Sequence, residues 1–132
     1  MSYSTLFLGI NITQFYRKEA IVKHETRYNE ISGEPYIREV ITGYEYYVAE
    51  HKLTTELEDF GKPYNLDVLT EYYEDQIYLG ITLAHNDFED FSESIEIDLN
   101  KYNKAVELLK EKLTILGWQN EEIKLIMNCY NS

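Results

Sequence analysis

Cysteine, proline and tryptophan are nearly absent from this 132-residue chain, which has one, two and one of them respectively. A lone Cys129 excludes an internal disulfide and fits a reducing compartment. Two prolines, with no low-complexity segment and no internal repeat, leave nothing that reads as a linker. The expectation is a single domain over 1–132, large enough to bury a core without staples. The six glycines (Gly9, Gly33, Gly43, Gly61, Gly80, Gly117) stand alone, so no glycine-rich phosphate loop is present. Long apolar runs are missing too. Leu6 to Ile10 is too short to span a bilayer, and no basic region with an apolar run after it marks a secretory signal. A cytoplasmic protein is expected.

The most one-sided shortage is of basic residues. Between Leu53 and Leu99 there are thirteen acids and one base, Lys62, for a net charge of −12. The segment before it has seven acids and six bases, and the segment after it four and five, so this stretch carries the whole net charge of −12. A one-signed field of this kind is a statement about partners rather than about fold. It repels nucleic acid and anionic membrane surfaces, so neither is expected as a direct partner. The acids are expected to form one contiguous exposed face.

Periodicity gives the frame. Thr5 to Thr13 reads as a strand apolar on both faces, which suits a central position. Ala20 to Asn29 alternates strongly, Asn29 to Pro35 is a turn, and Tyr36 to Thr42 returns as a hairpin partner. Gly43 marks a break or bulge before a further β-prone run, Tyr44 to His51. Thr54 is placed to cap a short helical turn through Leu57 and Phe60. Asn65 is read as the N-cap of a helix over Leu66 to Asp75, with Leu66, Leu69 and Tyr73 at helical spacing. That helix would place Glu71, Glu74 and Asp75 at the end where the macrodipole disfavours them.

Gln76 to Ala84 is a strand, with Ser94 to Leu99 expected as its antiparallel partner across a loop from His85 to Glu93. Asn100 to Leu116 is a helix on the stripe Tyr102, Val106, Leu109, Leu113 and Leu116. Asp98 or Asn100 caps its start, Gly117 ends it, and Trp118 is placed as an anchor just beyond. Glu121 to Tyr130 fits either element, and its β-branched and aromatic content favours a strand. The fold class expected is α+β, a mainly antiparallel sheet with one long helix packed on a face.

Catalytic signatures are lacking. Asp87, Glu89, Asp90 and Glu93 do not match the offsets of a calcium loop, for Phe88 and Phe91 interrupt them and no glycine lies among them. His24, His51 and His85 lack the spacing that puts two imidazoles on one helix face. Cys129 sits in an apolar pattern with no histidine beside it. Glu122-Ile123-Lys124 has the acid-x-Lys form of a nuclease half-site, but Asp98 is the only second acid near it and a helix intervenes. No metal or other cofactor is expected.

Thirteen tyrosines against five phenylalanines point instead to contact-making surface, although tyrosines also rim the core of β-rich domains. The expected function is a non-catalytic acidic protein that occupies the basic, nucleic-acid-binding surface of a partner protein. Inhibitors of host defence nucleases or CRISPR effectors, and immunity proteins, work on this logic of nucleic-acid mimicry. The expected contact residues are Glu71, Tyr72, Tyr73, Glu74 and Asp75, together with Asp87, Glu89, Asp90 and Glu93. The alternatives are a structural subunit whose charge gives only solubility, and a small metal-dependent hydrolase.

Overall fold

The computed structural model describes residues 2–71, 75–88 and 97–131. The fold is α+β, with antiparallel sheets and one long helix in the C-terminal half. The chain divides into two compact units, Met1–Thr13 with Thr55–Ser132, and Gln14–Thr54.

The first unit holds a four-stranded antiparallel sheet built from β1 (Ser2–Asn11), β5 (Asp67–Glu71), β6 (Gln76–Phe88) and β7 (Lys124–Asn131), in the order β5-β6-β1-β7. β1 takes the internal position that its two apolar faces predict, with Leu6, Leu8 and Ile10 buried on one face and Phe7 on the other. Gly80 lies across from Gly9 in the β1–β6 pair, where an added Cβ would run into the Leu8 carbonyl. The two backbones approach too closely there for any side chain.

Helix α1 (Leu99–Leu116) packs against β6 and β1 and buries Leu109 and Leu113. Its caps are those the sequence predicts. The Asp98 side chain accepts from the Asn100 N–H at 2.7 Å, and Gly117 closes the helix at φ 79°. The Trp118 N–H then donates to the Leu113 carbonyl at 2.8 Å, and its buried ring lies 6.3 Å from Phe60. Within 121–130 the chain is strand from Lys124 onward, with β7 pairing along β1.

Three expectations fail here. The helix expected over Leu66 to Asp75 is absent among the described residues of that range: Asp67–Glu71 is an edge strand in register with Gln76–Gly80, and 72–74 lie outside the described residues. Asn65 ends a 3-10 turn (Lys62–Tyr64) at φ 56° instead of opening a helix. The pairing surface of β6 outweighs a weak helical spacing, and the β-branched Val68 and Thr70 suit the pleat. The macrodipole penalty assigned to Glu71 and Asp75 therefore has no helix to act on, and Glu74 lies outside the described residues. The loop expected from His85 is the second correction, because β6 continues to Phe88, pairing with β1 as far as Ser2, while 89–93 lie outside the described residues. Thirdly, Ile97 and Asp98 are irregular and Leu99 opens α1, so they are not the end of a strand. Ser94 to Glu96 lie outside the described residues. The short turn expected from Thr54 forms as a 3-10 turn, Leu57–Asp59, with Glu56 at the cap position.

The second unit is a long hairpin of β2 (Tyr16–Tyr28) and β3 (Pro35–Val48), with a two-residue β4 (His51–Lys52) folded back on the end of β3. Its turn is set by local chemistry. The Asn29 carboxamide oxygen accepts from the N–H groups of Ile31 and Ser32, and Gly33 takes φ 71°. Gly43 marks the expected bulge: it pairs with Ile21, Ile41 pairs with Val22, and Thr42 is the extra residue. The run from Tyr44 to His51 is broken at Ala49, whose φ of 52° lets β4 double back.

Candidate functional site

The hairpin is amphipathic. Ala20, Val22 and Tyr28 of β2 share a face with Tyr44, Ile41 and Ile37 of β3, and most of this apolar face is open, with Ile37 73% and Tyr28 67% exposed. The opposite face is charged and largely self-neutralised. Arg17 pairs with Glu19 at 2.9 Å and Arg27 with Glu25 at 2.9 Å, while Lys52 reaches Glu45 at 3.0 Å. The Tyr47 hydroxyl donates to Glu45 at 2.7 Å, and this bond, with Lys52 beside it, holds the Glu45 carboxyl below the usual carboxylate range. Arg17 lies 4.5 Å from the Tyr47 ring centre, and Lys18 3.9 Å from that of Tyr44.

The other unit cannot neutralise itself in this way. It has seventeen acids and six bases, and four of those bases (Lys101, Lys104, Lys110, Lys112) lie on α1. Six of its acids lie on or beside β5, at the edge of the sheet. Glu56 and Glu58 are exposed around the 3-10 turn that packs on β5. Asp67 and Glu71, at the two ends of β5, alternate onto the same face of the sheet. Asp75 is exposed in the turn to β6 at φ 51°. The one base of this stretch, Lys62, is taken by Asp59 at 2.6 Å. Asp67 also has a structural role, accepting from the Thr82 N–H at 3.1 Å.

Of the residues nominated from sequence, Glu71 and Asp75 come together at the β5–β6 turn. Tyr72, Tyr73 and Glu74, and likewise Glu89, Asp90 and Glu93, lie outside the described residues. Asp87 was expected in a loop and instead is in β6, paired with Tyr3. It is eleven residues along the strand from Gln76, roughly 35 Å at the ordinary rise per residue. The described members of the two nominated groups, Glu71 and Asp75 on one side and Asp87 on the other, therefore sit at opposite ends of β6, while Glu56, Glu58 and Asp67, which the sequence does not single out, lie on the side of Glu71. What joins them is the register of β5 on β6, which residue spacing does not encode.

Among the described residues no group of three or more His, Cys, Asp or Glu side chains is arranged to hold a metal ion. His85 is held at 2.8 Å by the Thr5 hydroxyl, with the Tyr3 ring 5.3 Å away. Asp98 spends its carboxylate on the α1 cap. Compared with known proteins, the chain matches no family model, and no curated protein or solved structure matches it significantly.

Proposed function

We propose that this is a non-catalytic binding protein whose acidic β5 edge occupies a basic, nucleic-acid-binding surface on another protein. The observation that supports the reading is the charge left over at that edge. Glu56, Glu58, Asp67 and Asp75 are exposed along it, and Lys62, the one base between Leu53 and Leu99, is committed to Asp59. Exposed carboxylates in an array offer Lys and Arg groups what a phosphate backbone offers them, and raise the encounter rate with any basic partner. A nuclease or other nucleic-acid-binding effector is the partner this chemistry fits, with the acidic protein as its inhibitor and the cytoplasm as the place of action. Neither nucleic acid nor an anionic membrane is a direct ligand on this reading. Among the described residues no helix is long and apolar enough to cross a membrane.

Affinity capture at low and high salt, then competition of the captured protein with duplex DNA, tests this reading. Release of the partner by DNA, and loss of capture at high salt, is the expected result. A partner that binds equally at all salt concentrations and ignores DNA would remove the nucleic-acid-site reading.

A further inference from the structure

β2 is the free edge of the hairpin sheet, whose order is β2-β3-β4. It runs for thirteen residues without proline, glycine or an extra residue, and all but Tyr16 and Glu25 are exposed. Its outward N–H and C=O groups form a template for another strand. The β3 edge is defended: Pro35 opens it, Thr42 bulges from it, and β4 covers its last two residues. A two-stranded hairpin with an open apolar face is marginal in water, whereas a four-stranded sheet is not. A strand added along β2 would extend this sheet.

The charges of β2 say what fits. When a strand meets its own copy antiparallel across a two-fold axis, paired positions have a constant sum, and paired side chains share a face. With the axis at Ile21, Arg17 opposes Glu25 of the second copy, Glu19 opposes Lys23, and Ala20 opposes Val22, each pair occurring twice. Moving the axis to Ala20 sets Arg17 against Lys23. Moving it to Val22 sets Arg17 against Arg27 and Glu19 against Glu25. Steps in either direction are therefore repulsive.

The geometry points to a two-fold homodimer in which β2 pairs with β2 of a second copy about Ile21, giving one sheet in the order β3-β2-β2-β3. Two features of the single chain fit this register. Lys23 stands across from Val40 and has no ion pair among the described residues. Glu19 stands across from Glu45, a like-charge pair, and the Lys23 of a second copy would flank it on its open side. Val22 would meet Ala20 across the axis, joining the two apolar faces into one.

The test is sedimentation of the full chain over a concentration series, with circular dichroism of each variant to confirm folding. The wild type should dimerise. Lys23→Glu turns two attractive cross-strand pairs into repulsive ones and should weaken the dimer roughly tenfold. Glu19→Lys should weaken it similarly, and the double swap E19K/K23E should bring the dissociation constant back to within about threefold of wild type. A wild type that is monomeric throughout, singles with unchanged dimerisation, or a double swap that stays weak would each overturn the proposal. Glu56→Gln with Glu58→Gln should leave dimerisation unchanged, which keeps this test separate from that of the acidic edge.

Discussion

Glu45 lies directly across the hairpin from Glu19, and it accepts from the Tyr47 hydroxyl and from Lys52. A carboxylate facing another carboxylate is held ionised by two donors from its own strand and the adjoining β4. The lowered value sets the sign. Glu45 contributes stability above its unfolded pKa, and that contribution is lost as pH falls through the lower folded one. Tyr47→Phe removes the larger cause, so the Glu45 carboxyl should titrate at higher pH than in wild type by NMR. An unchanged midpoint would show that the hydroxyl does not hold it.

Glycine at position 80 is required by contact rather than by dihedral angle. Gly80→Ala places a Cβ against the Leu8 carbonyl in the middle of the β1–β6 pair. It should destabilise by roughly 1–3 kcal/mol. Gly117→Ala meets open space but keeps φ at 79°, and should cost about 1 kcal/mol. Urea denaturation of the two variants separates the effects, the first being the larger.

Leu109 is fully buried on the packed face of α1. Leu109→Ala should cost roughly 2–5 kcal/mol, against about 1 kcal/mol for Asp98→Ala at the helix cap. Comparable losses in thermal melts would mean that α1 is held by its ends rather than by its buried stripe.

Local chemistry explains which elements were legible in the sequence. The Asn29–Pro35 turn, the bulge at Gly43, and the Asp98 and Gly117 caps each depend on a few adjacent residues, so spacing finds them. The β5 strand depends on β6, and its residues also fit a weak helical pattern, so the sequence alone misleads. The same long-range pairing decides the candidate site. Periodicity locates the acids but not the end of β6, so it puts Asp87 in a loop when the residue belongs to the strand. The alternation of Ala20 to Asn29 was legible, but the free edge of β2 is a property of the sheet order.

The role of the acidic β5 edge stands or falls on association kinetics with the captured partner. Glu56→Gln, Glu58→Gln and Asp75→Asn together remove three exposed charges. They keep side-chain shape and leave at position 75 a residue that tolerates a positive φ. Stability should change by less than about 0.5 kcal/mol, or rise slightly as like charges are removed. The association rate at low salt should fall roughly tenfold, with a shallower dependence on ionic strength. Neutralising Asp87, Glu89, Asp90 and Glu93 in a second variant asks whether the other acids expected at the contact contribute. Association by the triple variant at the wild-type rate, with the wild-type salt dependence, would contradict a binding role and leave the charge of this edge serving solubility.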